Sequence, residues 1–284
     1  MIEIRERESG SVLFTLDGDS LQGADLRELD LTGADLRGAD LRSTIFINTI
    51  LNNADLSEAN LQYANLQGAQ LVHALLDEAN LSKAVMGGKP GIRPANLSNA
   101  SMLGTSLIGA NMQDVILSNA KMKNADLSYA ILQHGNLQGA DLEGASICEA
   151  RLNKANLSGC NLSNSDLCGA HLNYANMSGV DFSGAQFSGE ETQRPAILTR
   201  SNLQQAKLVG AHLAKAVLQT ADLSRSDLRD ANLSYAMMSG AILRNANVEG
   251  ADFTGVNLGT VTMDYANFSK SKNAEIPSFK RNLR

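Results

Sequence analysis

The sequence contains no tryptophan, and only 4% of its residues are aromatic. It therefore does not fit a conventional core of packed aromatic rings. Three cysteines cannot all pair with one another, which argues against a disulfide framework. No apolar run approaches the length of a membrane span, and residues 1–8 lack the apolar stretch of a secretory signal. We therefore expect a cytoplasmic protein without membrane contacts.

The charge is modest as well. The chain has 24 Lys and Arg residues against 30 Asp and Glu residues, for a formal net charge of -6. This balance gives a mild repulsion towards free nucleic acid and falls far short of an acidic tail. We expect no direct contact with nucleic acid.

What fills the chain instead is a five-residue unit, most regular between Ala125 and Leu172. Each unit has a small residue, then usually Asp or Asn, then a large apolar residue that we call the centre. On an α-helix, centres five residues apart would spread round the axis, and on a straight strand they would alternate between faces. A chain that turns about a quarter circle per unit buries every centre. The period therefore predicts square coils of four units, stacked on one another.

Stacking is also what the energetics require. Neighbouring coils would pair their backbones as parallel ladders about 4.8 Å apart. Burying one Leu is worth roughly 1.5–3 kcal/mol, whereas fixing five residues of backbone costs on the order of 5–10 kcal/mol. A single unit is therefore unstable, and stability must come from neighbouring coils with both ends capped.

The units resemble the motif A(D/N)LXX of the pentapeptide repeat family, and forty-eight of them cover most of the chain. The resemblance implies an all-β fold, a right-handed quadrilateral parallel β-helix. Centre and small residues would point inward, and the other three residues outward. The handedness comes from the resemblance alone, since the period fixes only the square coil. We expect about twelve coils with two short corner loops.

The repeat region predicted at 19–270 is interrupted twice, at 87–94 and 188–195. Each interruption adds six residues and ends in Arg-Pro-Ala, and its Gly and Pro residues indicate a loop leaving a corner. Residues 1–18 precede the repeats and predict a hairpin or pair of strands that caps the first coil. Residues 271–284 leave the register, which predicts a C-terminal cap or tail.

The sequence shows no site for chemistry. The four histidines fall on different corners or coils without a second ligand at metal spacing. No Gly-rich phosphate loop and no Ser, His and acid arrangement is evident, and a packed interior leaves no substrate pocket. We predict no catalytic, cofactor-binding or metal-binding residue and no enzymatic activity.

The cysteines fit this interpretation. Cys160 takes an inward position, where packing explains it. Cys148 and Cys168 take equivalent outward positions one coil apart, near enough for a disulfide but with side chains pointing parallel. We expect free thiols, with a disulfide between these two as the alternative.

The outward residue before the centre is apolar in only ten units. Counting four units per coil predicts that six of these residues share one face: Ile45, Val85, Ile131, Ile197, Val217 and Met237. Three others fall on the next face (Ile50, Ile116 and Ile242), Leu75 falls on the third, and the fourth face instead carries Asp40, Asp126, Asp166 and Asp252. Strand propensity alone would predict no such clustering.

Two further features mark the apolar face. Ile197, Val217 and Met237 are expected on consecutive coils, and the two loops are expected to leave from the corners that border this face. We predict a protein-binding face with additional loop contacts from Lys89, Arg93, Glu190, Glu191 and Arg194.

The leading functional hypothesis is a non-enzymatic protein-binding scaffold or interaction module, with its apolar-striped face framed by two loops. Its partner would be an unidentified protein or a second copy of the chain. A homodimer would form through the apolar face or, as the resemblance to family members that associate this way implies, through the C-terminal end.

The alternative is a DNA mimic that binds DNA gyrase or another topoisomerase, resembling the quinolone-resistance pentapeptide proteins. The acidic face and the two loops favour it. Duplex DNA, however, carries one charge per about 1.7 Å of axis, whereas 24 basic residues partly neutralise the 30 acidic ones here. The loops match no gyrase-protecting loop, so no functional residue is transferred from that group.

Overall fold

The computed structural model describes residues 1–89, 91–189 and 194–278. The chain divides into two compact units, Met1–Leu142 and Glu143–Arg284, called unit 1 and unit 2 below. Within these described residues no helical segment has the length and apolar character that a membrane span requires. Both units consist mainly of short parallel bridges and turns repeated every five residues.

Unit 1 begins with a hairpin. Strand β1 (Ile2–Glu6) pairs antiparallel with β2 (Val12–Leu16), and its other edge pairs antiparallel with β3 (Ala34–Asp35) in the early coils. In the hairpin turn, hydrogen bonds from Ser9 and from the backbone of Glu8 lower the pKa of Glu6 to about 2. The sheet order β2-β1-β3 places β1 between β2 and the repeats.

The repeats stack with a period of twenty residues, as the five-residue unit predicts. In unit 1, Asp25 bridges Ile45 and Ile45 bridges Asn65, all in parallel. We call such a line of bridged residues a column and each bridged residue, which directly precedes a centre, a rung. Within a coil, each small residue closes a turn, as when the Ala216 N–H donates to the Leu213 carbonyl at 3.0 Å.

Three backbone hydrogen bonds join neighbouring coils at most rungs. The N–H of rung Val217 donates to the carbonyl of the small residue Ala196 in the preceding coil at 3.0 Å. The N–H of the centre Leu198 donates to the Val217 carbonyl at 2.7 Å. The corner residue Arg200 then donates to the Gln219 carbonyl at 3.0 Å. This set repeats through both units and satisfies most of the backbone.

The interior is filled by the residues that the pattern places inward. Centres such as Leu66 and small residues such as Ala64 are fully buried. The rings of Phe182 and Phe187 meet edge to face, with 5.0 Å between their centroids. The inward Thr49 is accommodated because its hydroxyl donates to the Leu26 carbonyl at 2.7 Å. Among the described residues no buried side-chain nitrogen or oxygen lacks a hydrogen-bond partner.

The corners carry the strain of the fold. Residues two positions after a centre adopt positive φ, as at Gly38 (62°) and Tyr63 (61°). All five tyrosines occupy such corners and are exposed. Positive φ disfavours side chains other than those of Gly, Asn and Asp. The fold nevertheless places aromatic and charged residues at these corners, in addition to the residues that tolerate positive φ.

Both insertions leave from corners and keep the register. Val85 bridges Asn111 across the first loop, and Gln186 bridges His212 across the second. In the first loop, Lys89 and Ile92 exchange both backbone hydrogen bonds, at 3.1 and 2.9 Å, forming a tight turn. Residues 190–193 of the second loop and 279–284 of the predicted C-terminal cap or tail lie outside the described residues.

Candidate protein-binding face

In unit 1 the three predicted face residues share one column without being neighbours. Ile45, Val85 and Ile131 lie on the same column, but Asn65 and Asn111 separate them. Each isoleucine or valine is half-buried. This column therefore presents apolar and amide rungs in alternation and has no continuous apolar strip.

In unit 2 the predicted residues form consecutive rungs. Ile197 bridges Val217, and Val217 bridges Met237. We call these three residues the unit 2 ladder; three rungs at strand spacing span about 10 Å. Ile197 and Val217 are half-buried, whereas Met237 is 55% exposed. The apolar surface is thus greatest at the Met237 end.

A cleft of about 350 Å³ opens at the Met237 end of the ladder. No side chain that lines it is charged; the lining includes Tyr235, Met237, Met238, Asn257 and Thr260. An uncharged lining next to an apolar ladder favours contacts with apolar or neutral groups.

The loop residues lie beside these columns. In unit 1 the first loop leaves directly after the Val85 rung, and its Lys89 and Arg93 are exposed. In unit 2 the repeats resume after the second loop just before Ile197. Arg194, the first described residue after the gap in this loop, is exposed. Two of the predicted loop contacts, Glu190 and Glu191, lie outside the described residues.

The sequence comparison accounts for this architecture. Eight segments match the family described as Pentapeptide repeats: 20–57, 54–88, 95–128, 125–164, 150–189, 196–234, 221–259 and 241–272. The chain belongs to the pentapeptide repeat family. Its fold is therefore the right-handed quadrilateral β-helix of that family. Pentapeptide repeat proteins are in general structural or interaction modules without catalytic activity.

Solved structures of the family are similar to this chain. HetL of the cyanobacterium Nostoc sp., involved in heterocyst differentiation regulation, is 32% identical over 88% of this chain and 87% of its own, with a TM-score of 0.29. A pentapeptide repeat protein of the Arabidopsis thaliana thylakoid lumen is 26% identical over 36% of this chain and 68% of its own (TM-score 0.34). QnrB1, a plasmid-mediated fluoroquinolone resistance protein, is 16% identical over 74% and 92% (TM-score 0.30). No curated protein sequence matches the chain significantly.

The Asp or Asn of the pentapeptide motif has a structural role at most rungs. Its side-chain oxygen accepts a hydrogen bond from the N–H two residues later, as from Ser128 to Asp126 (2.9 Å) and from Thr254 to Asp252 (2.9 Å). This contact is an Asx-turn that stabilises the corner. An acidic rung is therefore explained by the fold, without a partner.

Many rung carboxylates are also neutralised by a basic residue. Asp40 pairs with Arg42 at 2.6 Å, and this guanidinium lowers the pKa of Asp40. Asp227 pairs with Arg229 at 2.7 Å in the same way. Such pairs reduce the negative surface below what the number of acidic residues indicates.

The three cysteines differ in burial: Cys148 is half-buried, and Cys160 and Cys168 are buried. No disulfide joins these cysteines in the described part of the chain. Burial, followed by the adjacent Asp166 carboxylate, raises the pKa of Cys168 to about 12. Such a thiol is a poor nucleophile at neutral pH. The described residues include no group of three His, Cys, Asp or Glu side chains that could hold a metal ion.

The sequence prediction missed some of the exposed apolar residues. Leu103 and Ile108 are 38% and 37% exposed and lie outside the predicted face. Both directly follow a centre, whereas the prediction considered only residues that precede one. Ile108 belongs to the same five-residue repeat as Ser106, and the column of Ser106 also contains Asp126 of the predicted acidic face. In unit 1, exposed apolar residues are thus not confined to the candidate column.

Proposed function

We propose that the protein is a non-enzymatic interaction module and that the unit 2 ladder is part of its protein-binding surface. The observation that carries this proposal is that three successive rungs are apolar where the fold benefits from Asp or Asn. Ile197 cannot cap its own turn, and the Thr199 N–H bonds instead to Asn173 of the preceding coil at 3.2 Å. A surface that gives up this contact three times is better explained by binding than by folding.

The partner contact must extend beyond the ladder. A stable interface buries well over about 1,000 Å² in total, more than three side chains supply. Tyr235 and Gln219 line the cleft at the end of the ladder, and the exposed Arg194 precedes Ile197 by three residues; these are the next candidates. Their mixed polar and aromatic character suits the rim of a transient interface. The partner is a protein of another kind or a second copy of the chain.

The test is a double substitution, Val217→Asp with Met237→Asp. It adds two charges to the ladder without changing an inward residue. The matched control, Asn232→Asp with Asn247→Asp, adds the same charges at rungs where a carboxylate can cap the turn. We expect the ladder variant alone to lose partners captured from cells of the source organism, or its own self-association in analytical ultracentrifugation. If both double variants keep the wild-type partners and sedimentation, the proposal is wrong.

The DNA-mimic hypothesis remains the second candidate, supported by the two loops beside the candidate columns. The Asp–Arg pairs count against it, because a duplex mimic needs uncompensated negative charge. A gyrase supercoiling assay, titrated with protein at low and moderate salt, decides the matter. Inhibition that disappears when residues 87–92 and 189–194 are deleted would favour the mimic. If tens of micromolar protein do not change gyrase supercoiling, the DNA-mimic hypothesis is rejected and the interaction module is kept.

A further inference from the structure

The unit 2 ladder ends at a rung that the chain does not fill. Met237 forms no bridge with Asn257, the residue twenty positions later. The other three faces keep their bridges between the same two coils, which join Ile242 to Thr262, Asn247 to Asn267, and Asp252 to Lys272. The last coils of unit 2 are therefore separated on the ladder face alone.

The separation leaves backbone groups unpaired. At a filled rung, Met237 donates its N–H to the Ala216 carbonyl (2.9 Å) and accepts from Leu218 (2.8 Å). By the same pattern Asn257 would donate to Ala236 and accept from Met238. Neither bond forms, and within residues 194–278 the Met238 N–H and the Ala236 carbonyl have no other backbone partner across the coil gap.

The opening is one rung wide. At one end, the Tyr235 N–H donates to the Thr254 carbonyl at 2.7 Å, so the corner stays closed. At the other end, the Gly240 N–H bonds the Thr260 hydroxyl at 3.0 Å, in place of the carbonyl bond that the pattern predicts. Asn257 itself is exposed and turns its side-chain oxygen to the Gly259 N–H at 2.8 Å.

We propose that this vacant rung binds an extended segment of a partner protein, one apolar residue of which takes the place of Asn257. A residue in extended conformation directs its N–H and C=O to the same side, which matches the Ala236 carbonyl and the Met238 N–H. Backbone pairing of this kind is the β-strand addition used by many peptide-binding domains. The inference rests on the proposed function, because it deepens the role of the same ladder.

The chemistry of the cleft selects the side chain. An apolar residue at the vacant rung would stack on Met237 and extend the ladder by one coil. The cleft has no charged lining residue that could pair with an acidic or basic ligand. We therefore assign the site to an uncharged segment with a central apolar residue.

The vacancy itself is tested by amide hydrogen exchange on the full chain. We expect the Met238 amide to exchange at least about tenfold faster than the bonded Leu218 amide, since it has no backbone acceptor. Asn257→Val should fill the rung from within the chain and slow Met238 exchange. The matched control Asn247→Val, at a rung that is already bridged, should leave it unchanged. Equal protection of Met238 and Leu218 in the wild type, or fast Met238 exchange in Asn257→Val, would overturn the inference.

Binding is tested with a defined probe, the acetylated and amidated peptide Ser-Thr-Val-Thr-Ser. At about ten times its Kd it should slow Met238 exchange about tenfold. The same peptide with Asp at the centre, or with a methylated amide at the central Val, should give no protection, and Asn257→Val should abolish the effect. No protection at millimolar peptide contradicts the proposal. If protection of the Met238 amide increases with protein concentration in the absence of peptide, the occupant of the rung is a second copy of the chain and not another protein.

These results separate the inference from the proposed function. The Val217→Asp and Met237→Asp variant tests the ladder as a whole, whereas Asn257→Val leaves the three ladder residues intact. Partner capture that survives Asn257→Val but not the double substitution would reject the vacant rung and keep the interaction module.

Discussion

The same substitution, Gly to Ala, should have opposite effects on stability at two positions of unit 1. Gly38 lies at a corner with φ of 62°, and no atom lies within 4 Å of the place where a Cβ would stand. Gly135 takes a buried inward position, the one that Ala fills in most units. An added Cβ there would lie 3.5 Å from Leu137 and 3.6 Å from Val115. The contrast separates backbone strain from packing.

The expected magnitudes follow from these surroundings. At Gly38, left-handed backbone costs Ala about 1–2 kcal/mol, offset by about 0.4–1 kcal/mol from the less flexible unfolded chain. The net destabilisation is about 0.5–1 kcal/mol. At Gly135, a buried methyl contributes about 0.8 kcal/mol in addition to the same unfolded-chain gain. An added Cβ would also stand 3.1 Å from the Leu132 carbonyl, a tight contact that brings the net stabilisation to about 1 kcal/mol.

The crowding at Gly135 is one that the fold already tolerates. The Gly135 N–H donates to the Leu132 carbonyl at 3.0 Å, and the inward Ala130 and Ala140 close their turns with the same bond, at 3.0 and 2.9 Å. Urea unfolding followed by far-UV circular dichroism should move the midpoint down for Gly38→Ala and up for Gly135→Ala, with little change in slope. Gly38→Asn is the control and should lose less than Gly38→Ala, because Asn tolerates positive φ. Shifts of the same sign for the two Ala variants would refute the assignment of corner and interior.

Two further predictions concern the interior and the thiols. Leu137→Asp puts a carboxylate at a fully buried centre and should cost more than about 4 kcal/mol, so a cooperative melt at the wild-type temperature would contradict the inward placement. Cys168 should react with iodoacetamide more slowly than Cys148 at pH 8, because its raised pKa of about 12 keeps it protonated. Asp166→Asn removes one cause of that shift and should speed the reaction, measured by mass spectrometry of the alkylated peptides; an unchanged rate would contradict the role of Asp166.

The repeat register could be predicted from the sequence because each unit specifies its own turn. A period of five with buried centres fixes the square coil, and an insertion at a corner leaves the following units unchanged. Val85 therefore meets Asn111 across the first loop, as the count of units predicts. The consecutive rungs Ile197, Val217 and Met237 follow from the same count.

The vacant rung could not be predicted in this way. Asn257 and Asn247 both precede an apolar centre and both use the side-chain oxygen to accept the N–H two residues later. Only Asn247 bridges the preceding coil on its column, at Asp227. The difference lies in how neighbouring coils meet, which no single unit encodes. Met237 is exposed for the same reason: a rung side chain is normally covered by the rung of the following coil, and Asn257 does not occupy that place.

The fold also determines which residues can carry information about function. Where the motif has Asp or Asn, the side chain caps a corner, and a neighbouring Arg often neutralises an Asp, as at Asp40 and Asp227. These acidic residues would be present whether or not the protein bound anything, so their number does not support a DNA mimic. Ile197, Val217 and Met237 give up the cap and expose apolar surface without a structural gain that the fold requires. In a repeat protein of this kind, binding is therefore best sought where consecutive units depart from the motif on the same column.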